Sequence, residues 1–208
     1  MATIYPLLPA RQVAVYNRDD VLRSPTDCRV YYLKYNAMSN IFICDDAVVR
    51  AYELWENGES FRAAGILFEK LPSALRPIWA ARIMRLVHGK SRLRSSRIER
   101  ACQVADSPSE WKNAHAIFTS LREETLKLDR LRAIGLTEEQ ELLGNLLSLA
   151  ELVAKVTYNA TNPPDQFDDD SGFWIGRCLR GFVDHHWSDS EFSDAAWKAM
   201  SFQEAVGH

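Results

Sequence analysis

Apolar residues recur every three or four positions along most of this chain, and those steps set out a series of amphipathic helices. Ser107-Pro108-Ser109-Glu110 reads as a helix start: Ser107 as cap, Pro108 in the first helical position, Glu110 closing a capping box. Trp111, His115, Phe118, Leu121, Leu128 and Leu131 follow on one face, and Gly135 supplies a left-handed stop. Thr137 to Gln140 forms a second capping box, ahead of a stripe through Leu142, Leu143, Leu146, Leu147, Ala150, Val153 and Ala154. So short a link between two long helices returns the chain antiparallel, which predicts a helical hairpin over about 108–158.

Upstream, a helix opens at Asp45 or Asp46, runs through Val48, Val49, Tyr52 and Trp55, and ends near Asn57-Gly58. A second carries Phe61, Ala64, Leu67, Phe68 and Leu71 and stops before Pro72. A third holds Trp79, Ile83, Leu86 and Val87 and is expected to end at Gly89. A fourth starts at Ser95 or Ser96 and contains Ile98, Cys102 and Val104. Phe173 to His186, capped by Asp170 or Ser171, and a short helix from the Ser188-x-x-Glu191 box through Phe192, Ala196, Trp197 and Met200 complete the set. The nine glycines are read as marking helix ends. In the pair of helices over about 46–72, Trp55, Phe61, Ala64, Phe68 and Leu71 follow a large-large-small-large-small spacing, with Gly58 near the turn and Leu71 where alanine is preferred. This pair resembles one tetratricopeptide-type hairpin, and the resemblance implies a helical, protein-binding module; no second unit follows at a 34-residue period.

The N-terminal 44 residues read two ways. Arg29 to Tyr35 and Asn40 to Cys44 are aromatic and β-branched around a polar turn, as in a β-hairpin. Ser24-Pro25-Thr26-Asp27 is a helix start, and helix is preferred because the rest of the chain is helical. The first 20 residues, with Pro6 and Pro9, are expected as an extended arm. The fold class is therefore all-α: a multi-helix bundle with a long antiparallel hairpin, its N-terminal segment helix or hairpin. Its parts are a helical body with its arm (1–158) and an acidic helical segment (159–208), packed on the body or tethered through a turn-rich connector, Asn159 to Gly172.

Composition narrows the classes. The chain has 208 residues, 47% hydrophobic and 25% charged, with a net charge of −3, enough for a real core and unlike a disordered chain or a wholly basic nucleic-acid coat. No run approaches the roughly 18 apolar residues of a membrane span, and Met1 to Asn17 lacks the features of a secretory signal. Cys28, Cys44, Cys102 and Cys178 form no Cys-x-x-Cys pair and are read as reduced, which points to the cytoplasm. Six tryptophans imply either anchored packing or an aromatic partner surface.

Charge is the most asymmetric feature. Arg76, Arg82, Arg85, Lys90, Arg92, Arg94, Arg97 and Arg100 stand against Glu99 alone, whereas 159–208 carries nine carboxylates against Arg177, Arg180 and Lys198. Arg82, Arg85 and His88 are placed opposite the apolar face of their helix, and Lys90 to Arg97 continues the basic surface. The expected function is that of a non-enzymatic adaptor or accessory protein. Arg82, Arg85, Arg92, Arg94 and Arg97 are its binding surface, and its partner is another protein or a second copy. The alternative is a nucleic-acid-binding accessory protein that uses the 76–100 patch for phosphates. A third reading is a metal-dependent hydrolase around Asp168, Asp170, Asp184 and His185, although adjacent helical residues diverge by about 100° and cannot all face one ion. No nucleophile elbow, phosphate-binding loop or dinucleotide glycine pattern is present, so no catalytic residue, metal or cofactor is assigned.

Overall fold

Thr137 opens the longest helix with reciprocal hydrogen bonds: its hydroxyl accepts from the Gln140 N–H at 3.2 Å, and the Gln140 side chain accepts from the Thr137 N–H at 3.0 Å. The computed structural model describes residues 33–35, 39–41, 45–132, 134–162 and 169–202. Its helices are α1 (Asp45–Glu56), α2 (Ser60–Lys70), α3 (Arg76–Ser91), α4 (Ser96–Asp106), α5 (Ala114–Arg132), α6 (Glu138–Thr161), α7 (Ser171–His185) and α8 (Ser190–Met200). From Asp45 onward the described residues form an all-α multi-helix bundle, and α5 and α6 are its long hairpin. No helix among them is long and apolar enough to cross a membrane.

The preference for helix in the N-terminal segment does not hold at 33–35 and 39–41, the residues described there. The described backbone there pairs β1 (Leu33–Tyr35) antiparallel with β2 (Ser39–Ile41), Leu33 opposite Ile41 and Tyr35 opposite Ser39. Aromatic and β-branched residues on either side of a polar turn outweigh the upstream capping signal. The expected extended arm, Cys28, Cys44 and Asp168 lie outside the described residues.

The core is built around α3 and α6. Trp79, Ala80, Ala81, Ile83, Met84 and Val87 of α3 meet Leu146, Leu149, Ala150 and Val153 of α6 in one apolar cluster that also takes in α2, α4, α7 and α8. Small Ala80 and Ala81 let neighbours approach α3 from several sides. The helix is consequently buried around most of its girth, and His88 lies in the core instead of on the basic face. α3 also runs through Gly89 to Ser91 and ends at Arg92, whose left-handed φ of 58° takes the role expected of the glycine.

Two glycines are inside a helix for a packing reason. A Cβ on Gly176 would lie 2.6 Å from the Ser60 carbonyl oxygen, and one on Gly172 would lie 2.6 Å from Cγ of Phe68. Four residues apart, they share one face of α7 and bring it directly onto α2, where the Ser60 hydroxyl donates to the Gly176 carbonyl at 3.1 Å. This crossing corrects the view that all glycines mark helix ends. It also makes α7 the most extensive partner of α2, ahead of α1, where a repeat array would have put the next unit. Through it and the packing of α8 on α3, the C-terminal helices share the core of the body.

Two caps differ from expectation. Ser107 makes no capping hydrogen bond; Pro108–Asn113 form a 3₁₀ turn and Glu110 instead pairs with Arg100. At α8 the cap is Asp189, whose carboxylate accepts from the Phe192 N–H at 2.6 Å.

Candidate interaction site

The linker after α3 is held by Ser91, whose hydroxyl donates to the His88 carbonyl at 2.7 Å and accepts from the Leu93 N–H at 3.2 Å. Beneath it, burial holds the His88 imidazole below its ordinary pKa, with Glu99 opposing that shift and Arg94 adding to it. The chain then re-enters helix at α4 through Ser95, which is extended and makes no side-chain cap. Ile98, Ala101, Cys102 and Ala105 turn into the core, leaving Ser96, Arg97 and Arg100 on one flank. That flank meets Ile117 and Ser120 of α5 across an open cavity of about 250 Å³.

Each guanidinium on this cavity is held by one carboxylate: Arg97 by Glu124 of α5, and Arg100 by Glu110 at 2.5 Å. A carboxylate occupies at most two of five guanidinium N–H donors, so both arginines keep capacity for a further acceptor. All these side chains are partly solvated, and such exposed pairs contribute only about 0–1 kcal/mol each. An incoming carboxylate can share or displace them.

The other expected arginines part company. Arg85 pairs with Asp106 and donates to the Cys102 carbonyl at 3.3 Å. Arg82 sits with its guanidinium carbon 5.6 Å from the Phe202 ring centroid. Arg92 and Arg94 are exposed, and no carboxylate among the described residues lies within ion-pair distance of either. Elsewhere in the patch, Arg76 reaches Asp169 at 3.5 Å and Lys90 reaches Asp189 at 3.3 Å, so the acidic C-terminal region meets the basic segment at two points. The structure therefore sets Arg97 against α5, leaves Arg92 and Arg94 exposed on the linker before it, and engages Arg82 and Arg85 within the protein itself.

No family model, curated protein or solved structure matches this chain. Its chemistry has to be read from its own side chains. Among the described residues no three His, Cys, Asp or Glu stand close enough together to hold a metal ion. Asp170 is engaged by Lys155 at 3.3 Å and by the Trp174 indole at 2.5 Å, and Asp184 by Arg180. Burial pushes the Cys102 thiol up to about 12 and that of Cys178 to about 11; both are free thiols.

Sequence reasoning missed Ile117 and Ser120, which complete the cavity, and Glu110 and Glu124, which steady its cations. The apolar step at Ile117 is visible one residue before Phe118, but which flank of α5 meets α4 depends on packing that periodicity does not encode. The six tryptophans do separate in the structure: Trp55, Trp79, Trp111 and Trp197 are buried, Trp187 is half-buried, and Trp174 is 39% exposed.

Proposed function

We propose that this chain is a non-enzymatic helical adaptor that captures an acidic segment of another protein in the groove between α4 and α5. The observation that carries this reading is the make-up of the cavity: two half-engaged guanidiniums and two hydroxyls with the apolar side chain of Ile117, a few residues along the chain from the exposed Arg92 and Arg94. A side-chain carboxylate on an apolar stem matches that mixture. Glu110 and Glu124, which hold the cavity arginines, penalise a continuous polyanion far more than a single carboxylate. The free thiols Cys102 and Cys178 suit a reducing compartment, and a cytoplasmic location is part of the proposal.

In the nucleic-acid reading Arg92 and Arg94 meet phosphate without a competitor, whereas Arg76, Arg85, Lys90, Arg97 and Arg100 must share or give up a carboxylate partner to do so. Two phosphate contacts imply an affinity that falls only about tenfold between roughly 50 and 200 mM salt. The test places a photo-crosslinking amino acid at Ser120 in cells of the source organism. The expected result is an adduct with a discrete protein, mapped to an acidic segment and lost when Arg92, Arg94 and Arg97 are all changed to Glu. An adduct indifferent to that change, no adduct, or oligonucleotide binding that weakens by orders of magnitude with salt overturns the reading.

A further inference from the structure

The outer face of α7 carries a second, independent set of features. Trp174, Arg177, Gly181 and Asp184 follow one another at steps of three and four along the solvent side of the helix. Phe173, 36% exposed, packs its ring on Phe61 of α2 with centroids 4.8 Å apart, and the Arg177 guanidinium carbon lies 5.3 Å from the centroid of the Trp174 ring. Exposed Trp, Phe and Arg together make the composition of an interface centre.

Gly181 lies between Arg177 and Asp184 on this face. Gly172 and Gly176 are required by α2, but a Cβ on Gly181 would meet nothing within 4 Å. A glycine inside a helix is less favourable than alanine, and no contact within the described residues makes use of the missing Cβ at 181. A second helix crossing there would.

The charges point to what that helix is. Arg177 has no carboxylate within ion-pair distance among the described residues, while both Asp184 oxygens accept from Arg180 at 2.8 Å, each keeping a lone pair for a further donor on the exposed side. Arg180 itself leans back over Gly58, its guanidinium 3.8 Å from the position of a Cβ there. Arg177 and Asp184 are seven residues apart, about two helical turns or 10.5 Å, on the same face. Two α7 helices crossing antiparallel beside Gly181 would set Arg177 of each copy against Asp184 of the other, giving two equivalent ion pairs around a close approach. A parallel crossing sets arginine against arginine.

We propose that the outer face of α7 is a self-docking surface, on which two copies of this chain form a two-fold dimer crossing at Gly181. The surface is separate from the α4–α5 groove, so a dimer would present two grooves to its partners.

Sedimentation equilibrium of the full chain over a wide micromolar concentration series tests this. A concentration-dependent dimer is expected. Arg177→Asp and Asp184→Arg should each weaken it about tenfold or more, and the double exchange should restore it. Gly181→Leu should abolish it while circular dichroism and the melting transition show the fold intact. A monomer at every concentration, or a dimer unmoved by the charge exchange and by Gly181→Leu, overturns the proposal. So does a crosslinker at Trp174 that traps only a different protein, a result that leaves the groove reading standing.

Discussion

The indole N–H of Trp79, in the middle of α3, donates to the backbone carbonyl of Met200 at 2.7 Å. Trp79 is fully buried, and Met200 closes α8, where helix carbonyls lack intrahelical partners. One side chain thus fills the core and satisfies the end of a helix 121 residues away. Trp79→Phe keeps an aromatic ring, leaves a void and strands the carbonyl. It is expected to cost about 2 kcal/mol or more, read as a lower urea midpoint at unchanged slope.

Opposite signs are expected from two Gly→Ala changes. Gly176→Ala drives a methyl group into the Ser60 backbone and should destabilise by about 1–3 kcal/mol or more. Gly65→Ala, inside α2 with nothing within 4 Å of the added Cβ, should stabilise by about 0.5–1 kcal/mol. Thermal melts of the two variants against the parent separate these outcomes.

His88 links stability to pH. Its folded pKa lies below its ordinary 6.5 because the buried ring is hard to charge. Between the lowered folded value and 6.5 the unfolded chain binds more protons. The contribution of His88 is therefore complete above 6.5 and is lost as pH falls toward the folded value. His186, lowered by burial and by neighbouring His185, acts in the same direction. Denaturation curves collected from neutral to mildly acidic pH should show falling stability, with a shallower fall in His88→Gln.

Thiol chemistry offers a separate check. With Cys102 held at about 12 and Cys178 at about 11, little thiolate exists at neutral pH, so iodoacetamide should label both far more slowly in the native protein than in urea. Mass spectrometry assigns the labelled sites; rapid native labelling of Cys102 would contradict its place in the core.

The reciprocal box at Thr137 should contribute about 1 kcal/mol. Thr137→Ala is expected to lower stability by that amount and to speed amide exchange in the first turn of α6.

Features set by neighbours in sequence were legible before the fold was known. Thr137 and Gln140 are three residues apart, and Gly135 does adopt a left-handed φ of 95°. Ser107 has the same local pattern, yet Pro108–Asn113 fold as a 3₁₀ turn, its hydroxyl makes no capping bond, and Glu110 pairs with Arg100 of α4. Gly172 and Gly176 escape the helix-end reading because their purpose lies in α2, more than a hundred residues earlier. The basic segment was visible as charge, but which arginines stay available depends on where Asp106, Glu124, Asp169 and Asp189 come to rest.

The Ser60–Gly176 contact spans 116 residues of chain, and this has a consequence during synthesis. At about 5–20 residues per second, α2 leaves the ribosome roughly 6–23 s before the helix that covers it. α5 and α6, adjacent in sequence, can close as soon as both emerge. Through that interval Ala64 and Phe68 have no α7 to lie against. The nascent chain carries an open hydrophobic flank until its last quarter is made, which is the period in which holding chaperones have something to bind.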